Sequence, residues 1–310
     1  MSQYGDLLAE LTGMGKAWIG LILMAAVTSL PELVVGASSS AIVQSADLAT
    51  GDILGSCAFN LFILSFMDLF TPKNRPLFSH VSQSHILAAA FGIILVSFAG
   101  LGIFLDQDIV LLPSIGLTSI LFAVIYFFSM KTIYRYKIRM PAEEISERTE
   151  ASNLRLPQVI RMYILFALII VAAALALPYF AEEIALETGL GESFVGTLFL
   201  AISTSLPEIA VSYAAIKIGA PDMAVGNLLG SNIFNIFILF LDDLFYTKGL
   251  LLKDASDANL ISVFSVIMMS AIAVIGLLFP SREKKSLMAW DTFLILALYV
   301  FNIILLYRLS

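Results

Sequence analysis

Nine long apolar stretches, parted by short polar connectors, fill most of this 310-residue chain and fix the solvent it must fold in. They fall at approximately 17–43, 51–70, 85–105, 109–129, 158–181, 193–217, 224–245, 260–280 and 288–308. Runs of about 18 or more apolar residues span a hydrocarbon core as helices, which satisfy every backbone amide internally. With 59% hydrophobic and 13% charged residues and a mean hydropathy of +0.94, a water-soluble globule is excluded. The expected class is an all-α polytopic membrane protein of about nine transmembrane helices, placed in a cell membrane of prokaryotic inner-membrane type.

Several function classes drop out on charge and residue chemistry. A net charge of −7 argues against a nucleic-acid partner, which requires basic clusters. The single cysteine, Cys57, allows no internal disulfide, and no Cys/His spacing suggests zinc, haem or any other resident cofactor. No Ser/His pair or zinc motif lies at membrane depth, so an enzyme is not expected. His80 and His85 read as exposed connector residues, and Trp18 and Trp290 as interface anchors. The first residues lack a basic segment before an apolar core, so no cleavable signal peptide is read there.

Orientation follows from the basic residues. The connector 131–157 carries Lys131, Arg135, Lys137, Arg139, Arg148 and Arg155 and reads as a cytoplasmic link between two halves, 1–130 and 158–310. Alternating outwards from it, Lys16, Lys73, Arg75, Arg161, Lys217, Arg282, Lys284 and Lys285 also fall inside, leaving only Lys248, Lys253 and Arg308 outside. The outer connectors are acidic, with Asp106, Asp108, Glu182, Glu183, Glu187, Asp254 and Asp257.

The two halves repeat one another. Trp18 to Glu32 (WIGLILMAAVTSLPE) matches Phe194 to Glu208 (FVGTLFLAISTSLPE) at an offset of 176, and Gly51 to Leu64 (GDILGSCAFNLFIL) matches Gly226 to Leu239 (GNLLGSNIFNIFIL) at 175. Under the orientation above, the copies lie in the membrane with opposite topology, the inverted-repeat plan that places a substrate site near the midplane. Packing alone explains shared Gly and Leu. It does not explain Glu32 and Glu208, because a carboxylate at that depth costs about 2.5–3.5 kcal/mol on the translocon scale. At the same offset, 181–189 aligns with 5–13, so a first helix of repeat one is expected to be missing, leaving a groove for lipid, a partner or a second copy.

Each block is a device for presenting oxygen. Pro31 and Pro207 interrupt helix hydrogen bonding and are expected to free the carbonyls of Val27 and Ser203. Thr28 and Glu32 share a helix face, as do Thr204 and Glu208, Ser56 and Asn60, and Ser231 and Asn235. Gly51 with Gly55 and Gly226 with Gly230 allow close helix approach. The pooled carboxylates, carboxamides, hydroxyls and carbonyls are hard ligands that suit calcium, with sodium as competitor. Two glutamates balance one divalent ion, and an emptied site calls in monovalent cations or protons, the physical basis of exchange.

The duplicated T-S-L-P-E and G-[DN]-x-x-G-S-x-x-x-N blocks resemble the alpha-repeats of the sodium/calcium exchanger branch of the calcium/cation antiporter superfamily. The resemblance implies ten helices in two inverted five-helix repeats and calcium export driven by sodium or protons. It implies a calcium centre at Glu32 and Glu208 completed by Asn60 and Asn235. The flanking sodium sites would use Thr28, Ser29, Ser56, Thr204, Ser205 and Ser231 with the carbonyls of Ala25 and Ala201. Three departures are visible: Asn235 stands where several sodium-coupled members have an acid, Val27 and Ser203 replace the usual glycine, and the first helix is absent. With Asn at both amide positions, the expected site holds two formal negative charges and exchanges calcium for two monovalent ions. Alternative readings are an antiporter for another cation and a truncated, non-transporting membrane subunit. Asp68 and Asp243, near span ends, read as solvated; Asp52 reads as a mouth residue or helix cap, and Cys57 as packing.

Overall fold

The computed structural model describes residues 2–12, 16–105, 110–112, 115–139, 155–174 and 196–309. Ten helices order these residues. A short helix α1 (Ser2–Thr12) precedes the spans α2 (Ile19–Val43), α3 (Ala46–Met67), α4 (Ser84–Phe104) and α5 (Leu117–Arg139). These are followed by α6 (Leu156–Ala174), a broken α7 (Leu198–Thr204 and Leu206–Lys217), α8 (Pro221–Phe245), α9 (Asn259–Leu278) and α10 (Trp290–Leu309). Seven helices are long and apolar enough to cross a membrane, and α7 makes an eighth if its two parts, bent by 46°, count as one span. Together with α6, these occupy all nine apolar stretches.

Two boundaries differ from the sequence reading. The fourth span begins at Leu117 rather than near 109, because Val110–Leu112 and Ile115–Gly116 pair as a small antiparallel hairpin ahead of it. At its other end α5 continues to Arg139, so the first nine residues of the 131–157 connector are helical; a run without Gly or Pro gives the helix no reason to stop. Residues 140–154 of that connector, the 181–189 segment and its acidic residues, Asp106 and Asp108 lie outside the described residues.

The helices carrying the second block of each half form the centre. In both α3 and α8, 78% of the membrane-length window is buried, against 22% for α5 and 33% for α10, which turn apolar side chains outward. The wound segments of the first block pack crosswise, α2 against α8 and α7 against α3. Glycine makes the α2–α8 approach possible: a Cβ at Gly230 would collide with the Leu21 carbonyl, and one at Gly20 with the Met223 carbonyl. The main apolar core runs from Ile53 and Leu61 through Ile233 and Leu239 to Val266, and a separate cluster gathers Leu8, Ile19, Met24, Val159 and Met223.

Polar contacts sort the connectors into two ends. At one end Asp222, in the first turn of α8, accepts from Ser82 N at 2.6 Å and lies 3.0 Å from His85 Nε2, while Lys284 donates to the Asp68 and Thr71 carbonyls. At the opposite end the α2–α3 turn meets the α8–α9 connector, with Gln44 accepting from Thr247 N at 3.2 Å and Asp47 from Ser256 N at 2.7 Å. α2 and α8 therefore run the same way, as the alternation of nine spans requires.

These contacts correct three expectations. His85 is buried and held by Asp222 rather than exposed. Asp68 and Asp243 are buried, not solvated. Asp68 accepts from Leu77 N, Ala289 N and Thr292 Oγ1 and pairs with Lys284 at 3.2 Å. Asp243 accepts from Leu251 N at 2.8 Å and Ser119 Oγ at 2.6 Å. Both are repeat-matched staples that gather connector amides at the end of a central helix, because amides leaving a helix inside the protein need an acceptor.

Candidate cation site

The site forms where each first-block helix breaks. α2 opens with a π-helical stretch, Ile19–Met24, and α7 with Gly196–Leu200, wide turns that shift the following residues round the axis. The helix then stops at Ser29 (φ −86°, ψ 10°) and at Ser205 (φ −86°, ψ 8°) and restarts with Pro31 and Pro207 in the first turn. Proline is tolerated there, where its missing amide is needed least. Glu32 and Glu208 thus sit in the first turn of a new half-helix, at its positive dipole end.

The two breaks interlock. Ser205 Oγ donates to Glu32 Oε1 at 3.1 Å, and Ser29 Oγ donates to Glu208 Oε1 at 3.4 Å, so each carboxylate is held by the other half's serine. Ser231 Oγ also donates to Glu208 at 3.4 Å. Thr28 lies 3.5 Å from Ser231, and Thr204 lies 3.3 Å from Ser56. All ten side chains of the expected set, Glu32, Glu208, Asn60, Asn235, Thr28, Ser29, Thr204, Ser205, Ser56 and Ser231, are fully buried.

Oxygen is left over at the centre. Glu32 Oε2, Glu208 Oε2, Asn60 Oδ1 and both amide atoms of Asn235 have no hydrogen-bond partner. Buried polar atoms without partners cost about 1–3 kcal/mol each, and a cation would satisfy the four oxygens among these, though not the Asn235 Nδ2 donor. The carbonyls of Ala25 and Ala201 take part in the local hydrogen bonding as well. They accept the amides of Ser29 at 3.0 Å and Ser205 at 3.1 Å and also lie 3.3 Å from the Thr28 and Thr204 hydroxyls.

Three residues outside the expected set belong to this neighbourhood. Asn232 accepts from Asn60 Nδ2 at 3.0 Å and donates to the Cys57 carbonyl at 3.2 Å, tying α3 to α8 across the repeat interface. Asn227 accepts from Thr28 Oγ1 at 3.2 Å and donates to Ser212 Oγ at 3.1 Å. Asp52, expected at the mouth or as a helix cap, is fully buried and accepts from Thr204 Oγ1 at 3.3 Å; Ser45 caps α3 instead, through Leu48 N. The sequence signal was present, since Asp52 and Asn227 occupy matching positions at offset 175. Among the described residues no three His, Cys, Asp or Glu side chains converge on one point.

Comparison with known proteins then decides the family. The family model described as sodium/calcium exchanger protein matches residues 1–134 and 159–308. The chain belongs to the sodium/calcium exchanger family. Its curated relatives include the inner membrane protein YrbG of Escherichia coli K12, 30% identical over 76% of this chain and 70% of that protein. The sodium/calcium exchanger MaX1 of Methanosarcina acetivorans is 34% identical over 46% of this chain and 40% of that protein. The solved structure of the sodium-calcium exchanger NCX_Mj soaked with 10 mM sodium superposes with a TM-score of 0.68 at 23% identity, covering 98% of this chain and 91% of the other. This exchanger-family protein is accordingly an all-helical, multi-span cell-membrane transporter and not an enzyme.

Proposed function

We propose that this exchanger exports calcium in exchange for sodium by alternating access. The halves 1–130 and 158–310 act as inverted repeats, and one calcium ion is held between Glu32 and Glu208. The observation that carries the reading is the crossed pair of hydrogen bonds, Ser205 to Glu32 and Ser29 to Glu208. Any movement of one repeat against the other must break or re-form both, which couples ion occupancy to the position of the repeats.

Charge supplies the exchange rule. A divalent ion between the two glutamates is neutralised, whereas the empty pair is an uncompensated dianion in low dielectric. Return of the empty site is therefore unfavourable unless monovalent cations replace calcium. Asn60 and Asn235 add neutral oxygen at the centre, and the Thr28/Ser231 and Thr204/Ser56 pairs offer smaller oxygen sets on either side for sodium.

Glu32→Gln and Glu208→Gln in proteoliposomes test this. Each is expected to abolish calcium uptake while the purified protein keeps its helix content and monodispersity, because one remaining charge cannot balance the ion. Near-parental uptake by either variant would overturn the central site.

A further inference from the structure

The repeats match closely around the glutamates and part company one turn further along. In repeat two Asn227 is fully occupied: it accepts from Thr28 and donates to Ser212. The repeat-one counterparts, at the same offsets of 175 and 176, are Asp52 and Gly36. Asp52 accepts from Thr204 as Asn227 does from Thr28, but no hydroxyl stands at residue 36 and Asp52 Oδ2 is left without a partner.

The room beside Gly36 is taken by a second acid. A Cβ at Gly36 would collide with the carboxylate of Asp242, whose counterpart at offset 175 is Met67. Asp242 is fully buried and neither of its oxygens has a hydrogen-bond partner. Ser40, four residues beyond Gly36, is also fully buried with its hydroxyl oxygen unpartnered. Glu32 and Asp242 are both close enough to Asp52 to act on it electrostatically. Among the described residues no basic side chain is bonded to Asp52 or Asp242. Asp52 of repeat one and Asp242 of repeat two are thus left unsatisfied at the place where the matching pair, Asn227 and Ser212, is closed by a hydrogen bond.

We propose that Asp52 and Asp242, with Ser40, form a second cation site between the repeats that has no symmetry mate, since the matching positions are Asn227, Met67 and Ile216. It lies at the Gly36 contact of α2, α3 and α8, about 6 Å along α3 from Ser56, since four helical residues rise by that distance. It occupies the side of the site toward Val43 and Phe245, the outward side under the distribution of basic residues. Two carboxylates and neutral oxygen match calcium in charge and ligand type. An ion there is one step from Thr204, Ser56 and Glu32. The site stages calcium between the outer face and the central pair, and makes the two faces of the exchanger unequal. Its part in transport rests on the exchanger reading; its binding of calcium does not.

Equilibrium binding of radiolabelled calcium to the purified full chain in sodium-free buffer tests it. The parent is expected to bind two calcium ions per chain. Asp52→Asn with Asp242→Asn is expected to bind one, and Glu32→Gln with Glu208→Gln is expected to bind the other one. Asp52→Asn alone, which places the residue repeat two carries at the same position, is expected to weaken one class of site about tenfold or more and keeps the test valid if the double variant does not fold. A parent that binds a single calcium, or an Asp52→Asn variant with both classes unchanged, overturns the proposal. Unchanged binding in the Glu32/Glu208 double variant instead overturns the central site and leaves the Asp52/Asp242 site standing.

Discussion

Ser205 and Ser29 each donate across the repeat interface to the opposite glutamate, so their hydroxyls do more than pad a helix break. Hydrogen bonds to charged groups are worth about 1.5–3 kcal/mol, so Ser205→Ala is expected to lower calcium flux about tenfold or more, read as initial uptake rates in proteoliposomes. Cys57→Ala is expected to leave flux nearly unchanged, because the thiol's contact to the Asn232 carbonyl, at 3.8 Å, is weak. The glutamates, hydroxyls and amides were legible in the sequence because two copies of one motif placed them on shared helix faces. Asp52 was visible as a mismatch with Asn227, yet its burial was not, since depth along a helix does not reveal which neighbour it faces. Asp242 gave no signal at all: its repeat mate is Met67, and only the contact with Gly36 shows where it points. With Asp52 included, the buried acids near the break exceed the two that motif counting supplied.

Helix-level features explain how such polar groups are held. Gly20 and Gly230 bring α2 and α8 to backbone contact, so Gly230→Ala is expected to force the helices apart and destabilise the purified protein by about 1–3 kcal/mol, seen as a lower thermal midpoint. At the end of α3, Lys284 is nearly fully buried beside Asp68 and donates to its carbonyl and to that of Thr71. Removing one partner of a buried pair leaves an uncompensated charge, so Lys284→Met is expected to cost about 3–5 kcal/mol, and combining it with Asp68→Asn to recover part of that loss. Span number and order were readable from hydropathy, and so was the break before each Pro-Glu. The hairpin at 110–116 and the helical continuation to Arg139 were not, because hydropathy reports where a chain can sit in lipid and not where a helix starts or stops.

For the whole molecule, two similar halves joined crosswise bring buried polar side chains of both into one cluster, and the family membership agrees with the proposed site. The opposite topology of the copies in the sequence leads to the expectation that the two motifs meet, and the crossed Ser–Glu hydrogen bonds show that their breaks do so. The asymmetry between them needed coordinates, since it lies in which of two matching side chains finds a partner. Coupled exchange is tested most directly by calcium accumulation in proteoliposomes loaded with sodium and diluted into sodium-free medium containing labelled calcium. The parent protein is expected to concentrate calcium well above the outside level and to lose it when the sodium gradient is collapsed. Calcium that only equilibrates, or accumulates equally without internal sodium, would contradict sodium-driven exchange at the Glu32/Glu208 pair.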